Sequence, residues 1–235
     1  ERMLEAPDAE NAFSVFVELS YAQYIDEAVT AKDFQKIIDK GLCETKAFMA
    51  PFALDQPLMQ VLWLRYDISN IKAAFKALYL KGSDLEGFDQ DSTWNACGDL
   101  TLEQVKSLIT DASVVGNLPS TVNAVIRTYL TKTEGINAET VHAFEMDMDQ
   151  AYFAWFHKSL ADSGDEFFAA YFKALVDHHN LSAKARSLVS GAELPESAWL
   201  SYSATTFEDA KSVTDFMSWK DMAQKSFFAS MVLEE

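Results

Sequence analysis

The feature that most constrains this fold is a helical frame that occurs twice. It reads Tyr66-Asp67-Ile68-Ser69-Asn70-Ile71-Lys72-Ala73-Ala74-Phe75-Lys76-Ala77-Leu78, then Val176-Asp177-His178-His179-Asn180-Leu181-Ser182-Ala183-Lys184-Ala185-Arg186-Ser187-Leu188. Asp67 and Asp177 lie 110 positions apart, as do Asn70 and Asn180, Ala73 and Ala183, and, upstream, Asp55 and Asp165. Ile71/Leu181, Lys76/Arg186 and Leu78/Leu188 match in kind at the same offset. Downstream, Trp94, Leu102, Glu103 and Leu108 align with Trp199, Phe207, Glu208 and Val213 at an offset of 105, a connecting loop having shortened by five. Two copies without insertion across the motif imply a duplicated helical unit. The expected divisions are residues 1–100, 101–204 and a partial third unit at 205–235.

Periodicity places helices along the chain. Phe13, Phe16, Val17, Tyr21 and Tyr24 recur at helical steps over Ala9 to Glu27, with Asp8 or Pro7 as the start. Thr30 opens a second helix, expected to end at Gly41. Met49 to Asp55 reads as a connection, Asp55 as the cap of a long helix from Pro57 to Lys81, and Gly82 as its stop. Residues 82–100 read as a loop with one turn. Thr101-Leu102-Glu103-Gln104 forms a capping box. Pro119 starts a further helix, Asn137 and Ala138 a long one ending at Gly164, and Asp165 another reaching Ser190. A last helix is expected from about Asp215 to Val232. No segment shows convincing strand alternation, so the expected class is all-α. Only eight glycines and five prolines interrupt the chain, which agrees with long helices.

Composition excludes several function classes. A formal charge of −17 argues against nucleic acid and against anionic lipid as electrostatic partners. No apolar run is long enough to span a membrane, and the opening Glu1-Arg2-Met3-Leu4-Glu5 resembles no signal peptide. A first residue other than Met suggests a fragment or processed chain. Cys43 and Cys97 stand apart with no C-x-x-C, and they are expected to be free thiols in a reduced, intracellular chain.

Asp67 and Asn70, three apart, share one side of their helix, as do Asp177 and Asn180. They read as buried polar groups that fix packing rather than as a ligand site, because an active site seldom needs building twice. Glu139-Thr140-Val141-His142, followed by Glu145, Asp147 and Asp149, supplies one Glu-x-x-His step. A di-metal bundle requires two, so a solvated acidic face is the expectation. The adjacent His178 and His179 point about 100° apart on a helix and cannot readily share an ion. Nucleophile elbows and phosphate-binding loops are absent. No catalytic, cofactor or metal residues are assigned. The aromatics Tyr152, Phe153, Trp155, Phe156, Phe167, Phe168, Tyr171 and Phe172 are expected in the core.

The D-x-x-N-[IL] helix at Asp67-Asn70-Ile71-Lys72 and Asp177-Asn180-Leu181 resembles the repeated motif of the V-type and archaeal A-type ATPase central-stalk subunit, called C in archaea and bacteria and d in eukaryotes. The opening Met3-Leu4-Glu5-Ala6 and Tyr21-Ala22 look like that family's first unit, and the resemblance covers roughly residues 1–215. Ser182 stands where the motif expects a basic residue, with Lys184 and Arg186 following. The resemblance implies a funnel of three similar helical units around a pseudo-threefold axis. It further implies a cytoplasmic protein that touches the membrane only through other proteins. The implied partners are rotor shaft subunits and the rotor-ring proteolipid, between which such a socket transmits torque without chemistry of its own. Asp67, Asn70, Lys72, Asp177, Asn180 and Arg186 are then scaffold residues. The rival readings are a helical protein binding metal or ligand through Glu139, His142, Glu145 and Asp149, and a generic helical scaffold.

Overall fold

A computed structural model describes residues 2–3, 5–18, 23–24, 30–52, 56–90, 93–131 and 136–229. Among these residues all regular structure is helical, and the class is all-α. The chain divides into two compact units, Glu1–Ser107 and Leu108–Glu235.

The first unit contains α1 (Ala9–Val17), α2 (Phe34–Met49) and α3 (Gln56–Lys81), and α4 (Leu102–Thr110) begins at its end. Asp8 starts α1 by accepting a hydrogen bond from the Asn11 amide at 2.8 Å. The chain turns at Glu18, so the expected run to Glu27 is interrupted; residues 19–22 and 25–27 of that expectation lie outside the described ones. Gly41 does not end α2. Its φ is not positive, and a helical glycine costs only about 1 kcal/mol relative to Ala. The two turns beyond it are held from outside, at Cys43 and Lys46. Asp55 lies outside the described residues.

Along α3, Val61, Leu64, Ile68, Ile71 and Phe75 are buried at alternating steps of three and four. Each such side chain contributes on the order of 1.5–3 kcal/mol by leaving water. Gly82 ends the helix in the left-handed region. The following loop contains one short turn, Phe88–Gln90. The capping box that opens α4 is present in both directions: the Thr101 amide donates to Gln104 Oε1 at 2.8 Å, and the Gln104 amide to Thr101 Oγ1 at 3.3 Å.

The expectation of two free thiols fails. Cys43 on α2 and Cys97 in the 93–100 loop form a disulfide across 54 residues of sequence. The loop reaches α2 because α3 holds it, a tertiary contact that cysteine spacing cannot reveal.

The second unit contains α5 (Ser120–Leu130), α6 (Ala138–Ser163), α7 (Glu166–Ser190), α8 (Phe207–Ser212) and α9 (Phe216–Ala223). Asn137 and Asp165 cap α6 and α7, accepting from the Thr140 and Phe168 amides at 2.9 Å each. Gly164 and Gly191 end these helices at φ 65° and 69°. In α5, Val122, Ile126 and Tyr129 are buried, as are Val141, Phe144 and Met148 in α6, and the Tyr129 and Phe144 rings meet edge to face at 5.3 Å. Phe156 and Phe172 join α6 to α7 at 4.9 Å. Most of the aromatic series is buried as expected, but Phe167, in the first turn of α7, is 71% exposed.

The last helix stops at Ala223 instead of reaching Val232. Ser226 Oγ donates to the Ala223 carbonyl, and the Phe227 amide turns away to Asp177 Oδ2 at 2.6 Å. A side chain on α7 thus takes the amide that a longer helix would need. Residues 230–232 of that expectation lie outside the described ones.

Candidate functional site

Both motif helices aim their polar pair at the loop that follows them. In the first unit, Asn70 Oδ1 accepts from the Asn95 amide at 2.8 Å, and Asn70 Nδ2 donates to the Asn95 carbonyl at 2.9 Å. In the second, Asn180 Oδ1 accepts from the Leu200 amide and Asn180 Nδ2 donates to the Leu200 carbonyl, both at 2.9 Å. Each carboxamide therefore mimics a strand neighbour, satisfying both polar groups of one loop residue. Neither asparagine side chain is exposed at all. Asn95 and Leu200 are 105 apart, the downstream offset of the repeat.

The aspartates differ in their partners. Asp67 Oδ1 accepts directly from the Leu100 amide at 2.9 Å. Its counterpart, Asp177, accepts from the Ser203 hydroxyl, and Ser203 Oγ in turn accepts from the Thr205 amide at 3.1 Å. Leu100 and Thr205 correspond at the offset of 105, as do Gly98 and Ser203. A Cβ on Gly98 would stand 2.6 Å from Asp67 Oδ1. Glycine thus lets the carboxylate reach the backbone, whereas serine places a hydroxyl between the same two groups.

Asp67 is desolvated, and burial pushes its pKa up. Backbone N–H donation from Leu100 and Asp99, and the nearby Lys46, only partly oppose this; the Asp99 charge adds to it. Lys46 bonds the Cys97 carbonyl at 2.8 Å and pairs with Asp99. In the second unit Tyr202, corresponding to Cys97, stacks on His157 at 4.5 Å and meets Phe172 at 5.5 Å.

Of the remaining motif residues, Lys72 is half-buried on α3 and Arg186 is exposed on α7. Lys184 is 8% exposed. Sequence reasoning did not find Asn95, Gly98, Tyr202, Ser203 or Thr205. The nearest signal was the Trp94/Trp199 pair, each immediately preceding an anchored loop residue.

Among the described residues, no group of three or more His, Cys, Asp or Glu could hold a metal ion. His142 Nδ1 lies 4.0 Å from Glu145 Oε2 on α6, the histidine exposed and the glutamate half-buried. Asp147 instead accepts from the Tyr129 hydroxyl at 2.7 Å, and that phenol, desolvated and bonded to a carboxylate, has its pKa raised. Glu139 is exposed in the first turn of α6. No helix among the described residues is long and apolar enough to cross a membrane.

No curated protein and no solved structure matches the chain. The model of the ATP synthase (C/AC39) subunit family matches residues 1–232. That is nearly the whole chain, both motif helices and both loops they hold, and so the chain belongs to the ATP synthase (C/AC39) subunit family, the V/A-type ATPase subunits C and d that its D-x-x-N helices resemble.

Proposed function

We propose that this chain is a non-catalytic central-stalk adaptor of a V/A-type rotary ATPase. It links the rotor shaft to the membrane rotor ring, on the cytoplasmic side, and carries torque between them. The observation that carries this reading is the family match across residues 1–232. The polar chemistry of the motif supports it. A coupling element must resist deformation, and buried, fully bonded polar pairs make packing specific and stiff. Asp67, Asn70, Asp177 and Asn180 direct their bonds to the chain's own loops. These four, with Lys72 and Arg186, are the repeated scaffold positions of successive helical units at 1–100, 101–204 and, in part, 205–235.

A tagged pull-down from detergent-solubilised native membranes, read by mass spectrometry, tests the reading. Recovery of rotor shaft subunits and ring proteolipid is expected, with the shaft lost when the soluble sector is stripped away. Recovery of neither, from membranes holding an intact rotary ATPase, would refute the coupling role.

A further inference from the structure

We propose that Cys43–Cys97 is a thiol–disulfide exchange site that sets how firmly α2 is held to the motif loop of the first unit. The loop is tied to α3 from within by Asn70 and Asp67. Its ties to α2 are different in kind. Among the described residues they include the disulfide, the Lys46 bonds to the Cys97 carbonyl and to Asp99, and a long 3.5 Å contact from Asn95 Nδ2 to Asp39 Oδ1. Asp99 is 61% exposed, so its ion pair is screened by solvent and weak. The disulfide is the covalent fastening among these ties, and it is the one that thiol chemistry can open.

The two sulfurs are unequally placed. Cys97 is 1% exposed, while Cys43 is half-buried on α2. An incoming dithiol reductant meets Cys43 first. Its thiolate attacks Cys43 Sγ, the S–S bond breaks, and Cys97 leaves as a thiolate that takes up a proton. The second sulfur of the reductant then closes onto the first and releases the Cys43 thiol. Two electrons and two protons pass to the protein, and the dithiol becomes a disulfide; an oxidised dithiol runs the sequence backwards. The reduced Cys97 has a place to go, because its Sγ lies 3.2 Å from the Asp39 carbonyl, a ready acceptor on α2.

The inference rests on the proposed cytoplasmic setting for one point only. Disulfides in reducing compartments are mostly transient or redox-sensing rather than permanent. The second unit holds no cysteine, so the effect is confined to the first.

The test is hydrogen exchange on the whole chain, equilibrated in glutathione buffers of graded reduced-to-oxidised ratio, with thiols counted in parallel by alkylation and mass spectrometry. The expected result is a pair that converts within the range of cytosolic ratios. On conversion, the amides of 34–49 and 93–100 should exchange about tenfold faster, while those of 166–190 and 200–205 stay unchanged. Cys43→Ser/Cys97→Ser should show the reduced pattern at every ratio. A pair that never forms, one that stays oxidised at the most reducing ratio, or a conversion that leaves α2 exchange unchanged would each overturn the proposal. None of these outcomes depends on which proteins the chain binds, so failure here and failure of the coupling role are distinguishable.

Discussion

The loops at 93–100 and 198–205 are held by the same asparagine on the same helical frame, yet the two units complete the fastening by different means. The first uses a covalent bond, a salt bridge and a glycine that lets a carboxylate touch the backbone. The second uses an aromatic stack and a serine set between carboxylate and amide. What persists is the demand that both polar groups of one loop residue be satisfied by a buried carboxamide. What varies is how the rest of the loop is kept in place. The difference teaches that the motif specifies an attachment point rather than a whole loop conformation.

The comparison can be broken first at the disulfide. Replacing both cysteines by Ala removes a cross-link over 54 residues, and a loss of about 4 kcal/mol is expected from the chain-entropy relation. Urea unfolding followed by circular dichroism would show it; no loss would mean that the covalent tie is dispensable. Next comes Asn180→Ala, which strands the buried amide and carbonyl of Leu200 at a cost of about 3 kcal/mol. Asn70→Ala should cost less, about 1–2 kcal/mol, because the Asn95 groups are only partly buried and water can reach them. Equal costs would contradict the claim that the covalent loop is less dependent on its asparagine.

Tyr202→Ala removes two ring contacts, each worth about 0.5–1.5 kcal/mol, and should destabilise the second unit by about 2 kcal/mol. Retained stability would show that the stack does not substitute for the disulfide. The glycine–serine exchange sharpens the contrast. Gly98→Ala forces a Cβ against Asp67 Oδ1 and should cost about 1–3 kcal/mol. Ser203→Gly should be milder than Ser203→Ala by about 1 kcal/mol, since it lets Asp177 approach the Thr205 amide as Asp67 approaches that of Leu100. Thermal melts of the variants side by side would decide.

The smallest expected effect is on pH dependence. The folded-state pKa of Asp67 is raised, so the folded protein holds that proton more tightly than the unfolded chain. Its contribution therefore falls as pH rises from the ordinary carboxylate value through the raised one, and stays low above it. Asp8, Asp111, Asp209 and Asp215 are shifted down by bonds to nearby amides and hydroxyls, and they push the opposite way, losing stability as pH falls. Asp67→Asn should therefore leave stability falling more steeply toward acid, by under about 1 kcal/mol, in melts taken between pH 4 and 7. An unchanged slope would mean that the burial of Asp67 has no net electrostatic cost.

Much of the fold was legible along the chain. The starts of α5, α6 and α7, the glycine stops of α6 and α7, the capping box at Thr101 and the all-α class follow from interactions no more than four residues long. Such signals survive in any tertiary setting. Gly41 and the end of α9 misled for the same reason in reverse: contacts made elsewhere on the chain, at Cys43, Lys46 and Asp177, decided those boundaries. Phe167 counted as core because periodicity reports a stripe, not which of two neighbouring phenylalanines at a helix start faces inward.

The sequence by itself determined that Asp67 and Asn70, and again Asp177 and Asn180, stand on one side of a helix. It also showed that the frame recurs at offsets of 110 and then 105. Tertiary structure alone decided what those side chains hold and that Cys43 meets Cys97. A buried polar group or thiol must find a partner, but the partners of these four side chains and of the cysteines lie 20 to 58 residues away. Only the folding of the intervening loop selects them.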